Sequence, residues 1–215
     1  MSSFRVTIAL LVLAAIPASA DWQSIGPSGG PIGYVASSRT QPQVVYATSG
    51  YNPFELLRSD DQGDNWNRVG SCSGYAYCLE TSASDVLFAG GYAAIYRSTD
   101  GGHTWTTKSL PNTYIYAMAV HPTDPSTVYG SGYTSTGSIA FLKTTDGGES
   151  WSVSTIAAGY GRCIAVSESS PSTIFVGGYV YSGSSTPLLY RSTNGGGNWS
   201  LVTPPGASSD YYMHS

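Results

Sequence analysis

The chain has 215 residues, of which 41% are hydrophobic and only 10% charged, and its formal net charge is −4. Because charged residues usually make up about a quarter of a globular protein, this composition argues against long salt-bridged helices and coiled coils. The nine Lys and Arg residues are scattered along the chain, so no basic patch for a phosphate backbone is evident and no nucleic-acid partner is predicted. The 26 Gly and 17 Tyr residues favour strands and turns instead.

Residues 1–20 have the pattern of a secretory signal peptide. Arg5 precedes the apolar run 6–16, and the small residues of 17–20 resemble a cleavage site. The run is shorter than the roughly 20 apolar residues that cross a bilayer, although an uncleaved anchor made from the same segment is the alternative. We expect cleavage before Asp21, no membrane span in the mature chain, and a secreted, periplasmic or extracellular location.

Export would make the three cysteines candidates for disulfide bonding. Cys72 and Cys78 are separated by five residues, so a local bridge between them is feasible, and Cys163 would then remain unpaired. The chain has three dispersed histidines and no Cys-x-x-Cys pair, which is not the ligand spacing of a zinc site. We therefore predict no metal and no cofactor.

A motif of eight residues, Ser/Thr-x-Asp/Asn-x-Gly-x-x-Trp, occurs four times. Its tryptophans lie 39, 46 and 48 residues apart, and Trp22 lies 44 residues before the first of them. This period is the length of a four-stranded propeller blade. The motif residues are Ser59, Asp61, Gly63 and Trp66 in the first copy, Ser98, Asp100, Gly102 and Trp105 in the second, Thr144, Asp146, Gly148 and Trp151 in the third, and Ser192, Asn194, Gly197 and Trp199 in the fourth.

Short apolar strands recur in phase with the motif. One strand directly precedes each motif and ends in a cation, and an earlier strand leads to small residues and a tyrosine. An apolar segment such as 117–120 or 163–166 comes earlier still. Strands separated by turn signals, without a helical period, predict an all-β fold of four-stranded antiparallel blades. The cations are Arg58, Arg97, Lys143 and Arg191, and the tyrosines are Tyr51, Tyr92, Tyr133 and Tyr179.

This set of motifs resembles the Asp-box, or BNR, repeat β-propellers, in particular the sortilin-like, photosystem assembly factor-like and xyloglucanase-like propellers. The resemblance covers nearly all of residues 21–215 and implies a propeller with about four blades present. We expect an incomplete ring, truncated at the C-terminus, because 210–215 resembles the start of a further inner strand. A closed ring of four blades is the alternative. Asp-box propellers include enzymes, receptors and assembly factors, so the resemblance does not choose among these functions.

The motif has the chemistry of a turn that is held by its own side chains. Hydroxyl and carboxylate groups can bridge backbone N–H groups across a turn, and glycine reaches the positive φ that many tight turns require. Asp60, Asp61 and Asp64 cluster in the first copy. They lack the alternating ligands and the terminal Glu of a calcium-binding EF-hand loop, so a structural turn is favoured over a metal site.

No catalytic residue is predicted. The four cations could suggest a sialidase, but their positions are distributed around the repeat and the Arg-Ile/Leu-Pro signature of that family is absent. A glycoside hydrolase needs two carboxylic acids that face one cleft, and Glu55, Glu80, Asp85 and Asp124 carry no recognisable local signature. Enzymatic activity is therefore the less favoured interpretation.

A ligand would be expected on the face that carries the loops between second and third strands and the links between blades. Tyr51, Tyr92, Tyr133 and Tyr179 fall near this rim, and tyrosine suits carbohydrate and protein surfaces alike. The alternative is that these tyrosines only pack between blades. We predict a secreted, non-enzymatic binding or scaffold propeller that recognises protein or carbohydrate. The alternative function is the N-terminal part of a xyloglucanase-like glycoside hydrolase.

Overall fold

The computed structural model describes residues 31–82 and 85–202. The predicted signal peptide at 1–20, Trp22 and the segment 210–215 lie outside these ranges. Within them the chain forms fifteen β-strands joined by turns. The same ranges contain no helix with the length and apolar character needed to cross a membrane.

The strands follow one another as four-stranded antiparallel units, which are the blades. The first blade contains β1 (Ile32–Ser37), β2 (Val45–Ser49), β3 (Phe54–Ser59) and β4 (Asn67–Cys72). The second contains β5 (Cys78–Thr81), β6 (Leu87–Gly90), β7 (Tyr92–Ser98) and the first part of β8 (Thr106–Val120). The third contains the rest of β8, β9 (Val128–Thr134), β10 (Ser138–Thr144) and β11 (Ser152–Ala158). The fourth contains β12 (Tyr160–Val166), β13 (Ile174–Tyr181), β14 (Ser185–Ser192) and β15 (Ser200–Leu201).

Strand β8 is shared by two blades. Its first part pairs with β7, and its second part pairs with β9, so blades two and three form one seven-stranded sheet. Each predicted motif forms the turn between the third and fourth strands of its blade. The structure thus confirms the predicted all-β fold of antiparallel blades with Asp-box turns.

The hydrophobic core lies between consecutive blades. One buried cluster joins Phe54 and Leu56 of the first blade to Leu87 and Tyr96 of the second. Two equivalent clusters join the second blade to the third and the third to the fourth. The second cluster includes Phe88, Ile95, Ile115 and Leu142, and the third includes Tyr129, Phe141, Ile174 and Val176. Each interface therefore consists of apolar side chains from two successive repeats, as expected for a repeat protein.

The bridge considered between Cys72 and Cys78 is not formed in the structure, where both are buried free thiols. Cys72 packs in the cluster between the first and second blades, whereas Cys78 packs in the cluster between the second and third. The Cys78 thiol lies 3.9 Å from the carbonyl oxygen of Ile115. Burial raises the pKa of Cys72 to about 11 and that of Cys78 to about 12. Although these residues are close in sequence, they belong to different interfaces.

Candidate functional site

The Asp-box turns are closed networks of hydrogen bonds. In the second box, Ser98 Oγ donates to Asp100 Oδ1 over 2.7 Å and accepts the N–H of Gly102 over 2.8 Å. Asp100 Oδ1 also accepts the N–H of Thr104 over 2.9 Å. The first and third boxes repeat this pattern around Asp61 and Asp146. The hydroxyl and the carboxylate therefore satisfy backbone N–H groups that the turn would otherwise leave unpaired.

The fourth box corrects one sequence assignment. The glycine that corresponds to Gly102 is Gly196, not Gly197. Gly196 has φ +93° and donates its N–H to Ser192 Oγ over 2.9 Å. A Cβ on Gly196 would lie 2.2 Å from the Phe141 ring, whereas Gly197 has no left-handed φ. The motif spacing also places this glycine at 196 when it is counted from Ser192, so the assignment of Gly197 was a miscount within the glycine run 195–197.

The carboxylates of the boxes are held in the ionised form. Hydrogen bonds from Thr104 and Ser98 lower the pKa of Asp100 below its usual value. Bonds from Asn65 and Ser59 lower the pKa of Asp61, and bonds from Ser150 and Thr144 lower that of Asp146. A general acid requires the opposite shift, so these carboxylates are unsuited to donating a proton to a leaving group.

The other acidic residues considered for catalysis also have local partners. Glu55 lies 3.0 Å from Arg68, and Glu80 lies 3.2 Å from Arg39. Asp85 accepts hydrogen bonds from Ser38, Thr40 and Gln41, and Asp124 accepts them from Ser126 and Thr127. Among residues 31–82 and 85–202, no group of three or more His, Cys, Asp or Glu side chains is arranged to hold a metal ion.

The cations before the boxes do not converge on one point. Arg97 Nη1 lies 2.9 Å from Glu149 Oε1 in the third box. Lys143 Nζ donates to the carbonyl oxygen of Gly195, in the fourth box, over 3.2 Å. Each of these two cations therefore contacts the turn of the next blade.

The opposite end of the blades carries a continuous array of aromatic rings, which we call the tyrosine surface. Tyr77 stacks on Tyr116 with ring centroids 5.0 Å apart and planes 8° apart. Tyr114 stacks on Tyr133 at 4.6 Å, and Tyr133 also lies 5.7 Å from Tyr116. Further ring contacts extend the array on both sides. The tyrosine surface comprises Tyr75, Tyr77, Tyr92, Tyr114, Tyr116, Tyr133, Tyr160 and Tyr179, together with Arg162.

Arg162 links two parts of this surface. Its guanidinium carbon lies 4.3 Å from the ring centroid of Tyr116 and 5.4 Å from that of Tyr179. Arg162 Nη2 donates to the Tyr179 hydroxyl over 2.9 Å. Burial and a hydrogen bond with Tyr116 raise the pKa of Tyr133 to about 12, so that phenol stays neutral at physiological pH. These contacts fix the orientation of the rings.

Tyr116 and Arg162 both lie at β-bulges, one in the second part of β8 and the other in β12. The pairing of β8 with β9 shifts between Ile115 and Ala117, which leaves Tyr116 as the bulged residue. The pairing of β12 with β13 shifts between Gly161 and Cys163, which places Arg162 at the equivalent position. Bulges commonly redirect a side chain at functional sites. Sequence reasoning missed Arg162, although it precedes the apolar segment 163–166 as Tyr116 precedes 117–120.

Three of the four predicted rim tyrosines belong to the tyrosine surface. They are Tyr92, Tyr133 and Tyr179. Tyr51 does not join the stack and is 70% exposed. The stacking agrees with a packing role, but Tyr75 and Tyr92 still expose 41% and 43% of their surface. The surface therefore combines fixed rings with accessible aromatic edges.

The four blades, their Asp-box turns and their inter-blade aromatic contacts define an Asp-box β-propeller. The Sortilin-Vps10 family, described as sortilin, neurotensin receptor 3, matches residues 54–187 of this sequence. This match covers more than half of the chain, and the chain belongs to the Sortilin-Vps10 family.

Individual proteins show the same architecture. A xyloglucanase from Paenibacillus sp is 26% identical over an alignment of 215 positions, which covers 90% of this chain and 18% of that protein. The crystal structure of an ancestral GH74 enzyme matches with a TM-score of 0.69 and 22% identity, over 87% of this chain and 26% of that one. The structure of YCF48 bound to D1 peptide matches with a TM-score of 0.60 and 18% identity, over 85% of this chain and 58% of that one. The chain thus spans less than a fifth of the xyloglucanase and about a quarter of the GH74 structure.

Proposed function

We propose that this chain is a secreted binding module that recognises a carbohydrate chain through the tyrosine surface and performs no reaction itself. The observation that carries the proposal is the stack of eight tyrosines with Arg162, in which Tyr75 and Tyr92 remain exposed. The signal-peptide pattern of residues 1–20 supports export. The similarity to a xyloglucanase supports carbohydrate as the ligand class.

The chemistry of the tyrosine surface suits a sugar chain. Tyrosine offers apolar ring area together with a hydroxyl that can donate or accept a hydrogen bond, and a sugar offers C–H groups and hydroxyls in return. Because the rings already support one another, they lose little conformational freedom when a ligand binds. A protein ligand is the alternative occupant, which the structure of YCF48 with D1 peptide supports.

The proposal is tested by titrating soluble xyloglucan into the mature chain, residues 21–215, and into its variants Tyr75→Ala and Tyr92→Ala. Since truncation of a tyrosine that anchors a ligand typically costs about 2 kcal/mol or more, and about 1.4 kcal/mol is a tenfold change in affinity, each variant is expected to bind at least about tenfold more weakly with its melting temperature unchanged. Val153→Ala is the control, because Val153 is 42% exposed on β11, outside the tyrosine surface. Unaltered binding by both tyrosine variants would refute the proposal. Reduced melting temperatures without a specific binding defect would instead indicate a packing role.

The second candidate is the N-terminal part of a xyloglucanase-like glycoside hydrolase, favoured by the Paenibacillus sp relative. Most acidic side chains of the described ranges are engaged in turns or ion pairs. The same xyloglucan samples are therefore assayed for new reducing ends. Sustained release of reducing ends by the wild-type chain would establish the hydrolase, because a binding module leaves the polysaccharide intact.

A further inference from the structure

Each blade has a short repeated segment at or just before the start of its innermost strand, and the fourth blade departs from the repeat within it. The segments are Ile-Gly-Tyr-Val at 32–35, Tyr-Ala-Tyr-Cys at 75–78, Tyr-Ile-Tyr-Ala at 114–117 and Tyr-Gly-Arg-Cys at 160–163. The third position is a tyrosine in the first three blades and Arg162 in the fourth. The tyrosine surface therefore has a cation at a position where the repeat otherwise places an uncharged ring.

In the described part of the chain, Arg162 is the only charged residue at the end of the blades that carries the tyrosine surface. The segments at this end are 50–53, 73–77, 91–93, 112–116, 133–138, 158–162 and 179–186, and they contain no Asp, Glu or Lys and no other Arg. At the opposite end, Arg58 pairs with Asp60 over 2.6 Å and Arg97 pairs with Glu149 over 2.9 Å. Positive charge is thus offset near the Asp boxes, whereas these segments provide no acid to offset Arg162.

The guanidinium of Arg162 is oriented by two tyrosines and still has N–H groups to donate. Tyr116 lies against its face at 4.3 Å, and the Tyr179 hydroxyl accepts one hydrogen bond from Nη2 over 2.9 Å. A guanidinium has five N–H donors in one plane, and a ring that covers its face leaves the edges of that plane available. The planar fork of donors matches the two oxygens of a carboxylate.

The charge of Arg162 acts on tyrosines of other blades. Burial raises the pKa of Tyr34 and of Tyr133, and the positive charge of Arg162 opposes this rise in both. Tyr34 lies in the first blade and Tyr133 in the third, so the field of this cation extends well beyond its own blade. A negatively charged ligand on these rings is therefore attracted towards Arg162.

We propose that the tyrosine surface selects a polysaccharide that carries carboxylate groups, as uronic acid units do, and that Arg162 binds one of these carboxylates. The inference rests on the function proposed above and narrows its ligand class. The tyrosine rings contact the sugar units, and the guanidinium donates two parallel hydrogen bonds to the carboxylate. Because Tyr116 and Tyr179 already hold the guanidinium in place, it loses little conformational freedom when the ligand binds.

The test compares two polymers that differ in charge, soluble xyloglucan and the same xyloglucan after partial oxidation of its C6 hydroxyls to carboxylates. Each is titrated into the mature chain, residues 21–215. We expect the wild type to bind the oxidised polymer at least about tenfold more tightly, because hydrogen bonds between charged groups are stronger than neutral ones. This preference should shrink as salt is added, since salt screens accessible charges.

Arg162→Tyr is the main variant, because it restores the residue of the other blades, and Arg162→Gln is the second. Each should bind the two polymers with equal affinity. Lys108→Gln is the control, since it removes an exposed cation outside the tyrosine surface, and it should keep the preference of the wild type. Circular dichroism and melting temperature establish that each variant is folded before its affinities are compared.

The outcomes separate this inference from the proposed function. Binding of neither polymer by the wild type would refute the proposed function itself. Equal binding of both polymers, or a preference that both Arg162 variants retain, would overturn the acidic specificity and leave carbohydrate binding in place. Tighter binding of poly-glutamate than of the oxidised polymer would also overturn it, because the preferred carboxylate would then belong to a protein.

Discussion

The indole of Trp105 in the second blade lies edge-on to the ring of Phe54 in the first, with ring centroids 5.5 Å apart. The same arrangement recurs between Phe88 and Trp151 at 6.2 Å and between Phe141 and Trp199 at 5.0 Å. Each Asp-box tryptophan of blades two to four therefore packs on an aromatic residue of the preceding blade. The tryptophan connects the turn chemistry of one repeat to the hydrophobic core that it shares with its neighbour.

Trp105→Ala is expected to destabilise the protein more than any single polar substitution in the same box. Replacing a buried tryptophan by alanine typically costs about 3–5 kcal/mol, and the lower end applies because Trp105 is only partly buried. The change also removes the hydrogen bond from Trp105 Nε1 to the Gly102 carbonyl oxygen, which is 3.1 Å long. The free energy of unfolding, measured in urea, gives the size of the effect.

Thr104→Ala is the matched control in the same turn. It removes the hydroxyl that donates to Asp100 Oδ2 over 2.6 Å, but it keeps the backbone N–H bond to Asp100. The expected loss is about 0.5–1.5 kcal/mol, the usual net value of one hydrogen bond. If Thr104→Ala proved as damaging as Trp105→Ala, the inter-blade role of the tryptophan would be wrong.

The sequence predicts the repeat well because the turn chemistry is local. Ser98, Asp100 and Trp105 lie within eight residues, so the spacing that identifies the box also forms its hydrogen bonds. Contacts between blades are harder to predict. The sequence did not show that Cys72 and Cys78 pack in different interfaces, nor that Arg162 lies on Tyr116.

The fourth box provides a direct test of the glycine assignment. Gly196→Ala would place a Cβ 2.2 Å from the Phe141 ring at a residue with φ +93°. Overpacking typically costs about 1–3 kcal/mol, and a left-handed φ on a non-glycine residue adds about 1 kcal/mol or more. Gly197→Ala is the control, because its nearest neighbours are flexible atoms of Asn194 at 3.1 Å or more. Thermal unfolding should show a large loss for Gly196→Ala and a small one for Gly197→Ala, and the reverse order would restore Gly197 as the box glycine.

The Asp boxes should make the free energy of unfolding decrease as the pH is lowered below about 4. The pKa values of Asp61, Asp100 and Asp146 are lowered in the folded state. Their contribution is therefore complete above the ordinary Asp pKa of about 4 and is lost as the pH falls through the lower folded values. The triple variant Asp61→Asn, Asp100→Asn and Asp146→Asn should show a flatter decline of unfolding free energy below about pH 4.

The fourth box shows that an Asn amide can take the place of the Asp carboxylate in these turns, because Asn194 Oδ1 accepts the N–H of Asn198 over 2.8 Å. Glu168→Gln is the control for the acid experiment, because Glu168 is exposed and outside the boxes. It should retain the wild-type slope. An equally steep acid transition in the triple variant would show that other groups govern acid unfolding.

The buried thiols should react slowly in the native protein. Because the thiolate is the reactive form, pKa values of about 11 for Cys72 and about 12 for Cys78 leave very little of it near neutral pH. The variant Cys163→Ser leaves Cys72 and Cys78 as its two cysteines. In the native variant, labelling with Ellman's reagent should be slow at pH 8 and faster at more alkaline pH. After unfolding in urea without a reductant, labelling should be rapid. Two labelled thiols in the unfolded chain are expected by mass spectrometry. A mass lower by two hydrogens, with no labelling before reduction, would mean instead that Cys72 and Cys78 form the bridge that their separate packing argues against.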